Sequence, residues 1–205
     1  MRRYPFHIYL FALLLVSMEV HAQADLENKI IASLLNDGNK LIPEYKTSKR
    51  KGWVKKFNQY KKPEFVLLNV TKSPLPEAEF DTIGLFEREV LSDKDRNMLH
   101  DFCRKNRSTL KIDSVKGLED YITFLSPSGQ KKIFSKMENW HAYYGDYGLK
   151  PLVKVSRPGF NDRKNKAFIY LTYSLGKNDG AGYYLVMKKI WWKWKVKGNM
   201  LIWVK

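Results

Sequence analysis

From Leu149 onward, apolar and polar residues alternate with a period of two, the pattern of half-buried strands. LVKVS, AFIYLTYSL, YYLVMKK, WWKWKV and MLIWV are strand candidates, separated by Pro-Gly, Asn-Asp-Gly and Gly-Asn turn signals. Connections this short predict an antiparallel meander over residues 149–204. Upstream the period is helical. Leu26, Ile30, Ile31, Leu34 and Leu35 mark an amphipathic helix stopped by Asn36-Asp37-Gly38. Ser92 opens a second helix over 92–106, with Asp93 and Asp95 in its first turn and Arg104, Lys105 and Arg107 in its last. Its apolar stripe is Leu99, Phe102 and Cys103, with Met98 alongside. Ser126-Pro127 begins a third, with Ile133, Phe134, Met137, Trp140 and Tyr144 on its buried face and Gly145 near its end. One apolar run, EFVLLNV at 64–70, reads as a buried strand, and residues 77–91 carry no period. Helices followed by consecutive strands predict an α+β fold, with the helices packed on one face of a C-terminal antiparallel meander of four to six strands.

The last eighteen residues, KKIWWKWKVKGNMLIWVK, hold four of the six tryptophans among lysines. Alternation places Trp192, Trp194 and Val196 on the core face of a strand and Lys193, Lys195 and Lys197 in water. Gly198-Asn199 then reads as a two-residue hairpin turn, with Met200, Ile202 and Val204 repeating the pattern on the return. Trp191 and Trp203 fall on the opposite face, where pairing across that hairpin would make an aromatic patch.

Charge and the N-terminus change the picture of where such a domain works. Arg2 and Arg3 precede an eleven-residue apolar run, Ile8 to Met18, and small residues follow at Ala22 and Ala24. That is the three-part pattern of a secretory signal peptide over 1–24, too short to span a bilayer. Its removal from the 205 residues leaves 181, so 25–205 reads as one exported domain, periplasmic or extracellular, without a transmembrane segment. Cys103 is the only cysteine, so packing alone must hold that domain. The formal charge is +16, and lysine outweighs arginine, which argues for attraction to anionic envelope surfaces or an acidic partner rather than specific nucleic-acid binding. The charge concentrates in KTSKRKGWVKKFNQYKK, residues 46–62, where eight lysines or arginines stand with no acid. Trp53, Phe57 and Tyr60 at i, i+4, i+7 would share a helical face there, suited to an anionic membrane or to single-stranded nucleic acid, but charge runs of this kind are usually solvated loops.

Trp140 with Tyr143 and Tyr144, then Ser156-Arg157-Pro158-Gly159-Phe160-Asn161, AFIYLTYS, GAGYYLVMKK and Trp194-Lys195-Val196 follow one another in order. With the upstream Asp101-Phe102-Cys103-Arg104-Lys105-Asn106, these elements resemble a group of uncharacterised exported bacterial proteins of Bacteroidetes type over about residues 95–197. Members often carry a cysteine at the glycine-rich turn, where this chain has Leu175-Gly176-Lys177-Asn178-Asp179-Gly180. They usually have a glycine turn where it has Ile190-Trp191-Trp192. The resemblance implies a compartment and a fold, and no reaction.

Candidate chemistry is sparse. His100 and Cys103 are helical neighbours, but the thiol lies in the apolar stripe and no third orienting group is evident. His141 stands alone, and no HExxH, GxSxG, P-loop or GxGxxG pattern occurs, so no catalytic, metal or cofactor site is expected. Pro158-Gly159 suits the centre of a type II turn, and Arg157 and Asn161 beside it are candidates for a pocket at the sheet edge. Lys49, Arg50, Lys51, Trp53, Lys55, Lys56 and Phe57 are the candidate anion-binding residues of the basic run. These readings favour a non-catalytic envelope module that touches anionic surfaces. The alternative is a hydrolase or small-ligand binder with a pocket between helices and sheet.

Overall fold

The structure is a computed structural model that describes residues 22–36, 64–71, 91, 95–135 and 139–205. The basic run at 46–62, with Lys49, Arg50, Lys51, Trp53, Lys55, Lys56 and Phe57, lies outside them, as do the residues before position 22.

The α+β class holds, around a sheet larger than the C-terminal meander. Helix α1 spans residues 22–36, strand β1 Phe65–Leu68, helix α2 Arg96–Lys105 and strand β2 Ile122–Leu125. Helices α3 (Pro127–Phe134) and α4 (Trp140–Tyr147) follow, then strands β3 (Leu152–Val155), β4 (Gly159–Phe160), β5 (Lys166–Gly176), β6 (Asp179–Ile190) and β7 (Lys193–Val204). Strand order is β2-β1-β3-β5-β6-β7, with β4 paired to β5, making seven strands. The expected antiparallel array is present from β3 to β7, but β1 pairs in parallel with both β2 and β3. The sheet is therefore mixed. β1 is buried at every position, as a strand covered on both faces must be.

Alternation in β1 and β5 shows how the layers divide. Phe65, Leu67, Val153, Ile169 and Leu171 join Ile30, Ile31, Leu34 and Leu35 of α1 in one core. On the other face, Phe168, Tyr170 and Tyr184 meet Met98, Leu99 and Phe102 of α2, and Val66 and Leu152 meet Tyr143 of α4. Helices thus cover both faces rather than one, α1 on one side and, on the other, α2 over β5 and β6 and α4 over β1 and β3.

Several local expectations shift for identifiable reasons. The third helix is two: Ser126 caps α3 by accepting from the Gly129 amide, and Asn139 caps α4 by accepting from Ala142. Gly148 at positive φ, not Gly145, ends α4. At the start of α2, the Asp95 side chain makes no cap bond and instead takes the Lys166 ammonium at 2.9 and 3.1 Å. Gly159 does not sit at positive φ, so Pro158-Gly159 is no type II turn. A Cβ there would strike backbone atoms of Met98 and Phe102, and its absence lets α2 lie directly on β4.

The largest shift concerns the C-terminal tryptophans. Gly198-Asn199 is not a hairpin turn, for β7 runs unbroken through it. Val186 pairs with Gly198 and Met187 with Val196, so Lys197 is the extra residue of a β-bulge. The bulge inverts the parity of the strand. Before it, Trp194 and Val196 pack with the α1 core; after it, Met200 and Ile202 pack with the α2 core. The turn is instead Trp191-Trp192, between paired Ile190 and Lys193. Trp192, expected inside, is 76% exposed and Trp191 84%, whereas Trp194 is 6% exposed. Trp203 makes no patch with Trp191: its indole crosses Gly182 at the far end of β7 and donates to the Tyr170 hydroxyl at 2.7 Å.

Candidate functional site

Two constellations deserve comparison, one buried and one exposed. The buried one contains Arg157 and Asn161, named above as pocket residues. Just past β3, the Ser156 amide still donates to the Tyr170 carbonyl at 2.9 Å, and its Oγ accepts the Tyr170 amide in return at 2.9 Å. The next residue sends its guanidinium across to α1. Arg157 Nε and Nη2 donate to the two oxygens of Glu27 at 3.0 and 3.1 Å, and Nη1 donates to Ser108 Oγ at 3.1 Å. Glu27 has no exposed surface and also takes Lys105 Nζ at 3.3 Å and Gln23 Nε2 at 3.2 Å. Lys105 in turn bonds Asp101 at 2.9 Å and lies 4.1 Å above the Phe160 ring. Asp101 accepts the Phe160 amide at 2.8 Å. The exposed Arg104 guanidinium also reaches Asp101, at 2.6 Å, so two carboxylates meet three cations.

Burial pushes the Asp101 carboxyl up, but bonds from Lys105 and the Phe160 amide outweigh it and hold the group below its ordinary value. Each charge of the cluster is met by an opposite one. Such a cluster ties α1, α2 and the 156–160 segment together. Asn161 is also structural. Its Oδ1 accepts the amides of Asn165 and Lys166 at 3.0 and 2.9 Å, tying the loop between β4 and β5. Both side chains are thus engaged within the fold, Arg157 with Glu27 and Ser108 and Asn161 with the loop backbone.

The helix–sheet space holds aromatic contacts where a substrate pocket was an alternative. Phe102 meets Phe168 edge-on at 5.0 Å, and Phe168 stacks on Tyr184 at 5.0 Å. His100 is exposed and Cys103 packs partly against that cluster, so the two point into different surroundings. Among the described residues no group of three or more His, Cys, Asp or Glu is placed to hold a metal ion.

The exposed constellation is the β6–β7 tip. Trp191 has φ of 57° while Trp192 does not take positive φ, the pattern of a type II′ hairpin, whose first central position is ordinarily glycine. A tryptophan in left-handed backbone costs about 1–2 kcal/mol. Neither local conformation nor core packing accounts for these indoles. Their ring centroids are 6.0 Å apart at 69°. Lys188, Lys189, Lys193, Lys195 and Lys197 are exposed around them, and residues 188–197 contain no acid. Ile190, Trp191, Trp192, Lys193 and Lys195 line one shallow concavity. Just inside, Trp194 meets Phe160 at 6.3 Å, so the tip stands on the ring that carries Lys105.

Sequence reasoning located these residues but put the turn seven positions too late, because Gly-Asn is the stronger turn signal. The missed clue was the Trp191-Trp192 pair itself, which breaks the alternation that Trp194 and Val196 obey.

No family model, curated protein or solved structure matches the chain. Among the described residues no helix is long and apolar enough to cross a membrane.

Proposed function

We propose that this protein is an exported, non-catalytic envelope module that engages anionic surfaces through the β6–β7 tip. The observation that carries the reading is the exposure of Trp191 and Trp192 at 84% and 76%, in a strained turn flanked by exposed lysines. Backbone strain in a bulky residue, with no structural return, is a mark of a functional position. Paired exposed aromatics ringed by like charge are a contact patch rather than a chance surface. The export pattern at 1–24 and the basic run at 46–62 agree with an anionic neighbour, the latter adding a second region of the same sign. A pocket-bearing hydrolase finds no comparable support, since the Arg157 and Asn161 side chains are engaged within the fold.

The test is retention on anionic supports, with vesicles and a sulfated polysaccharide in parallel, using protein recovered from cells expressing the full chain. Retention is expected to fall as salt rises, because exposed charges are screened beyond about 8 Å at physiological ionic strength. Lys188→Gln, Lys189→Gln, Lys193→Gln and Lys195→Gln together should weaken it on every support. The recovered chain should begin at Gln23 or Asp25. An intact Met1, or retention indifferent to both salt and these lysines, would overturn the reading.

A further inference from the structure

The chemistry of the tip narrows the anionic surface to one kind. We infer that the β6–β7 tip is a shallow anchor for the interface of an anionic lipid bilayer, with Trp191 and Trp192 entering the headgroup–acyl boundary while the lysines stay among the headgroups. This rests on the reading that the tip is the contact surface.

Three observations favour lipid over other polyanions. The first is reach. Trp194 is the first buried residue after the turn, and Trp192 stands two residues nearer the tip. At about 3.4 Å per residue the tip projects about 7 Å past the packed core. That matches the roughly 5–10 Å depth at which interfacial elements sit. The second is the order of residues along the hairpin. Lys193 pairs with Ile190, Lys195 with Lys188, and Trp194 with Lys189. Ammonium groups therefore ring the hairpin one to four residues behind the indoles, at the level of lipid phosphates when the indoles are immersed. Tryptophan prefers that boundary, having an apolar body and one N–H donor. The third is what the tip lacks. Residues 188–197 hold no arginine, so the hairpin itself offers no planar fork to bind a phosphodiester or sulfate in two-pronged fashion. The indoles stand at 69° to each other, so they offer no common plane on which successive bases or a sugar chain could lie. A fluid interface demands neither feature.

The turn chemistry supports the same occupant. Glycine at position 191 would relieve the backbone, so the indole is retained at a cost that only an external contact offsets. The support is rigid as well. Trp194, Phe160, Lys105 and Glu27 form a packed chain from the hairpin base to α1, so little freedom is lost when the tip docks.

Vesicles of phosphatidylcholine, with and without phosphatidylglycerol and with brominated acyl chains, test this with the protein recovered from cells. Brominated chains should quench the intrinsic tryptophan fluorescence only when phosphatidylglycerol is present. Trp191→Ser/Trp192→Ser should abolish that quenching and lower partitioning at least about tenfold, while thermal unfolding stays unchanged, as for most exposed positions. Trp191→Gly alone, which removes one indole and relieves the turn, guards against misfolding and should lower partitioning while raising stability. Lys193→Gln and Lys195→Gln should each weaken partitioning about fivefold, the usual effect of one basic residue at an anionic leaflet. Retention on both supports that needs the two indoles but shows no quenching from brominated chains would overturn the lipid inference and leave the anionic-surface reading standing. Quenching and retention unchanged in the double variant would overturn both.

Discussion

Glu27→Ala should be the most damaging single substitution at a charged position in the described part of this protein. The carboxylate is wholly buried and receives three donors from residues beyond the expected leader: Arg157 Nε and Nη2 and Lys105 Nζ. Removing it leaves the Arg157 guanidinium with Ser108 Oγ as its remaining side-chain acceptor, while Lys105 keeps Asp101. Two charged hydrogen bonds at about 1.5–3 kcal/mol each give about 3–6 kcal/mol. Breaking a buried ion pair from one side costs about 3–5 kcal/mol, so the two routes agree. In a domain of this size that corresponds to a fall in Tm of roughly 6–20 °C. Urea unfolding at neutral pH, followed by circular dichroism, measures it directly. Arg157→Ala should cost a similar amount, and the double variant should cost less than the two singles added, with a coupling of about 0.5–3 kcal/mol. A loss under about 1 kcal/mol for either single variant would refute the argument, since a screened surface pair is worth no more than that. Strict additivity in the double variant would refute it equally.

Trp194→Ala should lose about 3–5 kcal/mol, the usual cost of emptying a large aromatic site. Trp191→Ala and Trp192→Ala should each stay within about 0.5 kcal/mol, as exposed positions do; equal losses at 192 and 194 in thermal melts would mean the turn is misplaced. Asp101 supplies a pH test. Its carboxyl is held below its ordinary value in the folded chain, so its contribution is fully present above the unfolded value of about 3.9 and is lost as pH falls through the lower folded value. Asp101→Asn should therefore flatten the acid limb of Tm against pH below about pH 4; an unchanged limb would show that Asp101 carries none of it.

Much of the fold was legible where one physical signal governs. Strands β3, β5 and β6 fall where the two-residue period put them, and Phe65–Leu68 is buried as its unbroken apolar run required. Ser126-Pro127 starts a helix because cap and proline act locally. Failures came where two structures share one signal. A glycine-asparagine pair between alternating runs serves a hairpin or a bulge, and only the partner strand decides. Four residues, Ile122–Leu125, are too few to announce a strand whose parallel partner lies near residue 66. Arg157 and Glu27 stand 130 positions apart, and no periodicity joins them.

The Trp191-Trp192 turn belongs to a different category, because there the sequence opposes its own structure. Aromatic residues favour strands, and left-handed backbone favours glycine, so both local rules argue against a turn at this place. The chain turns there nonetheless, since Trp194 must reach the α1 core and Lys189 must lie opposite it. Once that register is set, the two indoles have nowhere to go but outward. A sequence selected for folding alone would put Asn-Gly or Gly-Asn at this turn and keep its tryptophans for the core. Here the ordinary turn dipeptide, Gly198-Asn199, is spent on the bulge that inverts β7, and the tryptophans occupy the turn. Disagreement between local preference and adopted conformation gathers at functional positions in proteins. In the described part of this chain it is sharpest at the tip, which is why the tip rather than the Ser156–Asn161 segment is assigned the contact.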